Sequence, residues 1–388
     1  MANIQICFAI GSLQKNKKGQ IIRIPADFPS ITQAVTHARD GDFILLAPGN
    51  YNENEISIDK RIVISSEWKQ DGDASKIENT IIDAGDKILF NIQSDGVEIS
   101  GLKIINGDHP LNIESNVIIA HNHFVNNKDA ISFEGSGGGY AGYNTIENDR
   151  DDGIDLDIRK GGKHQGTDIT VEYNTIFNSN DDGIEIRLYD YPGQNIRYTI
   201  RNNTISGSIN AGIQLISYDI FTAKEFHIHH NIIKECKVGL GCMDGTNTRE
   251  DLEGASTLDE KIYFYNNTLT GNQLGATGGN SVYALNNVVK NNILGGFKRF
   301  GKNSAIVNNL FYQNGNNDFQ EVNEQVIQHS NRFGEWPLLC EKTFAPLADS
   351  PCIDAGKKQL NINGKRVLKI SGKAFLGNKP DLGAVEYN

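Results

Sequence analysis

The sequence predicts an all-β solenoid: a stack of short-stranded coils with a site built on its middle turns. Three observations carry that expectation. A segment is nearly duplicated, an asparagine recurs along much of the chain, and the composition is that of strands and tight turns. The duplicate reads Asn148-Asp-Arg-Asp-Asp-Gly-Ile-Asp-Leu-Asp-Ile-Arg159, then Asn178-Ser-Asn-Asp-Asp-Gly-Ile-Glu-Ile-Arg-Leu-Tyr189, with Gly153 and Gly183 thirty residues apart. Weaker copies follow at Ser208-Ile-Asn-Ala-Gly-Ile-Gln-Leu-Ile216 and Lys237-Val-Gly-Leu-Gly-Cys242. Repetition at such a period marks stacked supersecondary units. With 40 Gly against 9 Pro and 2 Met, and few helix-forming runs, the connections are turns rather than helices.

The elements follow in order. Residues 1–20 read as a flexible lead-in ending in the basic run Lys15-Asn-Lys-Lys18. Ile21-Ile-Arg-Ile-Pro reads as a strand. Ser30 with Gln33 then fits a capping box, and Ile31, Ala34, Val35 and Ala38 fall on one helical face. A single short amphipathic helix ahead of strands alone suggests a cap over a hydrophobic end. Further strands are expected at Asp40–Tyr51 and Ile62–Ser65.

The asparagine, followed by two residues that are mostly Thr or aliphatic, stands at Asn122, Asn144, Asn174, Asn203, Asn231, Asn267, Asn287 and Asn309. Such a side chain bonds backbone groups of its own and the adjacent turn, so stacked copies form an internal ladder. The intervals are 22, 30, 29, 28, 36, 20 and 22, so a basic coil takes 20–22 residues and four central coils carry extra length. The extra residues fall in Arg159–Asp168, Leu188–Arg197, Ser217–Phe226 and Met243–Glu260, each after the Gly-Ile strand or its Gly-Leu equivalent. Insertions at one phase emerge on one side and are expected to wall a cleft. Beyond Asn309 the repeat decays.

At the two ends the chain resembles a known group. Pro29-Ser-Ile-Thr-Gln-Ala-Val, Gly41-Asp, Ala47-Pro-Gly-Asn-Tyr and Ile81-Ile-Asp-Ala-Gly85 are similar to the opening coils of bacterial right-handed parallel β-helix proteins. Ala348-Asp-Ser-Pro-Cys-Ile-Asp-Ala-Gly356 and Asp381-Leu-Gly-Ala-Val-Glu-Tyr387 resemble their closing segment. The resemblance implies a right-handed parallel β-helix over residues 21–317 with a short N-terminal capping helix. Residues 318–388 are then an irregular C-terminal cap of the same domain. Lyases, hydrolases, epimerases and adhesins all use this scaffold, so chemistry has to be argued from residues.

Alternation along a strand turns Ile154 and Leu156 inward and Asp155 and Asp157 outward. One coil later, ~4.8 Å away, the same phase carries Glu185 and Arg187, followed by Gln214 and Ile216. Two bare carboxylates at that spacing repel by about 3 kcal/mol at an effective dielectric of 20. A cation, an arginine, a shared proton or water must therefore neutralise Asp155, Asp157, Asp181 and Glu185. Calcium suits such hard oxygen ligands, although no dedicated calcium-loop motif is present. The bland alternative is a structural one, in which the Asp-Asp-Gly aspartates cap backbone N–H groups and Asp157 pairs with Arg187.

The inserted walls carry Arg159, Lys160, Lys163 and His164, then Arg187, Tyr189, Tyr191 and Arg197, then Tyr218 and Lys224. Lysine, arginine and tyrosine together suit β-elimination in a uronate polysaccharide. Cations neutralise the carboxylate at C5, a base removes the C5 proton, and an acid protonates the departing O4. The chain resembles the β-helix alginate lyases, in particular polysaccharide lyase family 31. That resemblance implies Lys224 and Tyr189 as the acid–base pair. Arg187, Arg197, Arg201 and Gln214 are expected to bind the carboxylate, and Tyr218, Lys163 and His164 of the walls to contact substrate. A polygalacturonase-type inverting hydrolase using Asp152, Asp181 and Asp182 is the alternative. Its downstream Gly-His-Gly and Arg-Ile-Lys segments are missing, and Ala211-Gly-Ile-Gln stands instead. A non-catalytic carbohydrate-binding β-helix is the third reading.

Other classes recede. A formal charge of -11 argues against nucleic acid as a partner, and no apolar run reaches membrane-spanning length. The expected partner is an anionic uronan met by a monomer. The apolar patch Gln5–Gly11 makes a poor signal peptide, so either a leader has been removed or the protein is cytosolic. A polysaccharide substrate favours a secreted or periplasmic setting. Five cysteines with no metal-type spacing read as buried thiols, with a Cys236–Cys242 disulfide as the alternative.

Overall fold

A computed structural model describes residues 19–159, 168–191, 195–218, 224–245, 249–253 and 256–388. The lead-in up to residue 18, and with it Cys7, lies outside the described residues, as do Lys160, Lys163 and His164. The chain divides into two compact units, Met1–Thr167 and Asp168–Asn388.

In the first unit each coil contributes one strand to each of three parallel sheets, A, B and C. Asn116–Ala120, His123–Val125 and Ile131–Gly135 make up one such coil. Register keeps like against like: Ile119 lies beside Ile99 and Ala141 in sheet A, and Phe133 beside Leu156 in sheet C. All five are wholly buried, because every second side chain of each strand turns inside the coil. The capping helix forms as expected, spanning Ile31–His37, with Ile31, Ala34 and Val35 buried (α1). Ser30 accepts the Gln33 N–H at 3.2 Å, but the free N–H groups of Ile31 and Thr32 go to Glu53, a coil away, rather than to Gln33. Two single-turn helices, Trp68–Asp71 (α2) and Ser75–Glu78 (α3), interrupt the second coil.

The second unit repeats the arrangement from Ile169–Glu172 in sheet A, Thr175–Phe177 in sheet B and Ile184–Leu188 in sheet C. It also carries the coil pattern further than the sequence marker did. Asn317–Gln320, Ile327–His329 and Arg332–Phe333 still pair in parallel with the coil before them, and Asn331 accepts the Asn309 N–H at 3.0 Å. The marker fails there because the residues after Asn331 are Arg332 and the exposed Phe333, where the second residue of each earlier coil is a buried apolar side chain. The remaining segment includes an antiparallel hairpin, Gln359–Ile362 with Lys365–Lys369. Its Leu360 and Leu368 pack on Tyr263, Tyr265, Leu285 and Val307, the outward row of sheet A.

The asparagine ladder is present in both units. Asn287 accepts from the Asn267 N–H at 2.9 Å and donates to Asn309 Oδ1 at 2.8 Å. Each such bond contributes about 1 kcal/mol net, and leaving a buried partner unmade costs more. A second ladder runs five residues later, through Asn127 and Asp149 in the first unit and Asn272, Asn292 and Asn314 in the second. Asp149 accepts the Asn127 N–H at 3.2 Å in the place of an amide. Burial holds its carboxyl well above the usual range, which favours the protonated form at the place where the other members of this ladder carry an NH2 group. Cys236, Cys242 and Cys352 are buried free thiols and Cys340 is a half-buried one, with no Cys236–Cys242 disulfide. Burial raises Cys236 to about 11 and Cys242 to about 12.

Candidate functional site

The duplicated motif has a packing explanation at its glycine. A Cβ on Gly183 would lie 2.5 Å from Ile205 and 2.7 Å from the Gly212 carbonyl, and one on Gly212 would meet Ile233 at 2.2 Å. The glycine column brings successive coils together at that corner. Asp182, immediately before it, is wholly buried and accepts from Asn210 Nδ2 at 2.8 Å and from the Ala211 N–H at 2.7 Å. Asp129 does the same for the Asp152 N–H at 2.9 Å. Both aspartates cap backbone in the next coil; for Asp182 this is the structural alternative drawn from the sequence. Burial holds Asp182 well above its usual range, and the nearby Asp181 and Glu185 push the same way.

Beyond that turn, Glu185 and Arg187 project from one face of sheet C, with Gln214 and Ile216 beside them in register, and Tyr189 and Tyr218 follow just past the ends of those two strands. Two arginines take up the carboxylates. Arg187 Nη2 lies 2.6 Å from Glu185 Oε2, and Arg249 Nε donates to Asp181 Oδ2 at 3.3 Å. Asp181 Oδ1 is buried without a hydrogen-bond partner among the described residues. Burial raises its pKa against the opposing pull of Arg249 and Arg187. Gln214 is fully buried and leans over Gly241, where a Cβ would fall 2.1 Å from its Oε1. Tyr189 and Tyr218 stack with ring centroids 5.1 Å apart and planes 12° from parallel. Tyr218 has room because Gly245 lies against its ring, where a Cβ would fall 2.5 Å from Tyr218 Cδ1.

Part of the fourth insertion closes over the same face. The Glu250 N–H donates to Asn210 Oδ1 at 3.0 Å, and the buried Glu250 carboxylate pairs with Arg299 at 2.8 Å. Lys298 holds the Leu252 carbonyl at 2.5 Å, and Leu252 packs on Ala211, Val238 and Leu274. The strap delivers Arg249 to Asp181. Sequence reasoning missed both Arg249 and Glu250, because residues in an insertion carry no periodic signal.

Several expected site residues lie elsewhere. Arg197 and Arg201 belong to Ile196–Arg201 in sheet A, not to the sheet C face of Arg187 and Gln214. Arg197 pairs with Glu225 at 3.2 Å and Arg201 with Glu172 at 2.5 Å. Lys224 is not in an exposed wall either. It opens the strand Lys224–His229 on the inward row with Phe226 and Ile228, and only 5% of it is exposed. Its ammonium lies 5.9 Å from the Tyr191 ring centroid and 5.8 Å from that of Tyr198, within cation–π range. Asp155 and Asp157 belong to the first unit. They lie on the outward row of Ile154–Ile158, yet both are buried. With Glu134 they place three carboxylate oxygens within 4.8 Å of one another. Ser132, paired with Asp155 in register, has a buried hydroxyl with no partner among the described residues.

Residues 67–223 match the family described as a right-handed β-helix region. No curated protein matches the sequence. Among solved structures, the catalytic unit of the thermostable GH87 alpha-1,3-glucanase from Streptomyces thermodiastaticus strain HF3-3 superposes with a TM-score of 0.55 at 12% identity. The match covers 79% of this chain and 65% of that one, so this chain spans less than two thirds of that structure's length. Pectate lyase Pel9A gives 0.45 at 17% identity over 96% and 98% of the two chains. The A-module of the Azotobacter vinelandii mannuronan C-5 epimerase AlgE4 gives 0.44 at 12% over 78% and 89%. The likeness is one of fold: this chain is an all-β right-handed parallel β-helix.

Proposed function

We propose that the chain is a polysaccharide lyase that cleaves a uronan, alginate foremost, on the outward face of sheet C in the second unit. One observation carries the reading: Arg187 and the stacked phenols Tyr189 and Tyr218 stand on one row, where the carboxylates already have arginine partners. A uronate residue over that row meets guanidinium charge at its carboxylate, which makes the C5 proton removable. Tyr189, acting as phenolate, takes that proton as the C4–O4 bond breaks and the C4–C5 double bond forms. A phenol then returns a proton to the departing O4, so the balance closes without a redox partner. Lys224 approaches from beneath against Tyr191. Its proposed part is to position the segment that carries Tyr189, not to touch the sugar.

Calcium extends the proposal to the first unit. Glu134, Asp155 and Asp157, with the Ser132 hydroxyl, offer the hard oxygen donors that this ion takes. It would supply charge neutralisation there.

A glycoside hydrolase is the second reading, and Asp181 favours it, since burial pushes its carboxyl toward the protonated form a general acid needs. Incubation with alginate, polyglucuronate and polygalacturonate separates the two. New ultraviolet absorbance from an unsaturated product end supports elimination; reducing ends without that absorbance support hydrolysis, and neither signal leaves a binding protein. Tyr189→Phe is expected to lower turnover by about 10²–10⁴-fold with an unchanged melt. Wild-type turnover in that variant would remove Tyr189 from the chemistry, and turnover unchanged by a chelator would remove the metal.

A further inference from the structure

Away from sheet C, the first unit carries a cleft of about 400 Å³ between α3 and the corner where sheet A passes into sheet B. That volume lies within the ~300–1,000 Å³ of small-ligand pockets. Ser75 and Glu78 line it from the helical side, and His121, His123, Tyr143 and Thr145 from the coils. Its aromatic wall depends on one absence. Gly101 occupies the corner one coil before His121, and a Cβ there would lie 2.6 Å from the Trp68 ring. Trp68, brought in by α2, fills the space a side chain at Gly101 would take. It packs on His121 at 4.8 Å between ring centroids, and His121 stacks on Tyr143 at 5.0 Å. Three flat groups from α2 and two successive coils thus line up along the stack.

The polar side is equally specific. Glu78 accepts from Lys103 at 3.0 Å and meets His123 at 2.8 Å, and the other His123 nitrogen meets Glu147 at 2.8 Å. Burial and the nearby Lys69 ammonium keep His121 below its ordinary value and so neutral, with one ring nitrogen to donate and one to accept. Among the described residues no lysine or arginine lines the cleft, and the Glu78 charge is already matched, so none of them is left to recognise a carboxylate or a phosphate. Aromatic surface facing hydroxyl, imidazole and carboxylate groups suits a ring with one apolar face and a hydroxylated rim. We propose that this cleft is a second carbohydrate site, separate from the sheet C face, that takes a neutral pyranose residue.

The test uses the intact chain and isothermal titration with cellotetraose and maltotetraose, with tetramannuronate as the charged comparator. His121 and Tyr143 sit at positive φ, 58° each, a conformation that asparagine tolerates and that Asn202, Asn266, Asn286 and Asn308 adopt at the same corner. His121→Asn and Tyr143→Asn therefore remove the rings without straining the turn. One neutral tetrasaccharide is expected to bind the wild type at roughly millimolar Kd or tighter. Each variant should weaken it at least about tenfold, with the melt and the cleavage of uronan unchanged. Failure of both neutral sugars to bind the wild type, or undiminished binding in the variants, overturns the site. Ring-dependent binding that is stronger for tetramannuronate overturns the neutral class. Loss of uronan cleavage alone speaks only to the sheet C reading.

Discussion

Two faces of the second unit are built by the same alternation and come to opposite ends. On sheet C, the outward residues of neighbouring strands differ in size, so that Gln214 leans over Gly241 and Tyr218 over Gly245, and charged groups line a stepped surface. On sheet A, the outward residues match and stack: His227 on Tyr263 at 4.7 Å, Tyr263 on Tyr283 at 5.3 Å, and His229 on Tyr265 at 4.5 Å. The C-terminal hairpin then packs on the far part of that row. Uniform rows invite cover, whereas uneven rows leave relief for a ligand. Charge alone does not separate the two, since Arg197 and Arg201 on sheet A are as cationic as Arg187 on sheet C.

The largest blow to this contrast is expected from Arg299→Met, which strands the buried Glu250 carboxylate and releases the strap from sheet C. A loss of about 3–5 kcal/mol is expected in denaturant melts, with Glu250→Leu added in the same chain restoring most of it. An unaltered melt in the single variant would mean that the pair does not hold the strap. A smaller effect is expected from acid on sheet A. Burial, helped by the Arg201 charge, lowers His230 from 6.5 to about 4, and His229 is lowered as well, by burial first and then by His230. Both are bound neutral, so their contribution is complete above pH 6.5 and is lost as the pH falls toward 4, on the order of 3 kcal/mol for His230. His230→Asn, matching the other corners, should flatten that part of the stability–pH curve; an equally steep curve would assign the acid response to other groups. The smallest effect belongs to Arg197→Gln. Its side chain is more than half exposed, so stability should move by less than ~1 kcal/mol and turnover by less than about twofold. A large loss of turnover would mean that sheet A, not sheet C, faces the substrate.

Much of the scaffold could be read from the chain because it repeats. The glycine of the Asp-Asp-Gly turns, the first asparagine ladder and α1 all follow from local spacing. The second ladder was equally legible, five residues after the first at Asn127, Asn272, Asn292 and Asn314, and was missed because Ser179, Ser208 and Cys236 interrupt it. The site was less legible. Lys224 shares its phase with Phe226 and Ile228, so alternation alone puts it inside, and treating it as part of a loop hid that. Arg197 and Arg201 went astray because the length of an insertion does not reveal which sheet the chain enters next. The Glu250–Arg299 pair joins positions with no periodic relation, and only the folded chain brings them together.

Asp149 has a consequence beyond the ladder that it completes. Between its ordinary pKa and its raised native one, the folded chain holds a hydrogen ion that the unfolded chain has released. Assembly of that coil is therefore an uptake reaction, drawing acidity from the medium much as a metalloprotein draws in its ion. An alkaline medium thins the supply of one of the smallest components of the fold.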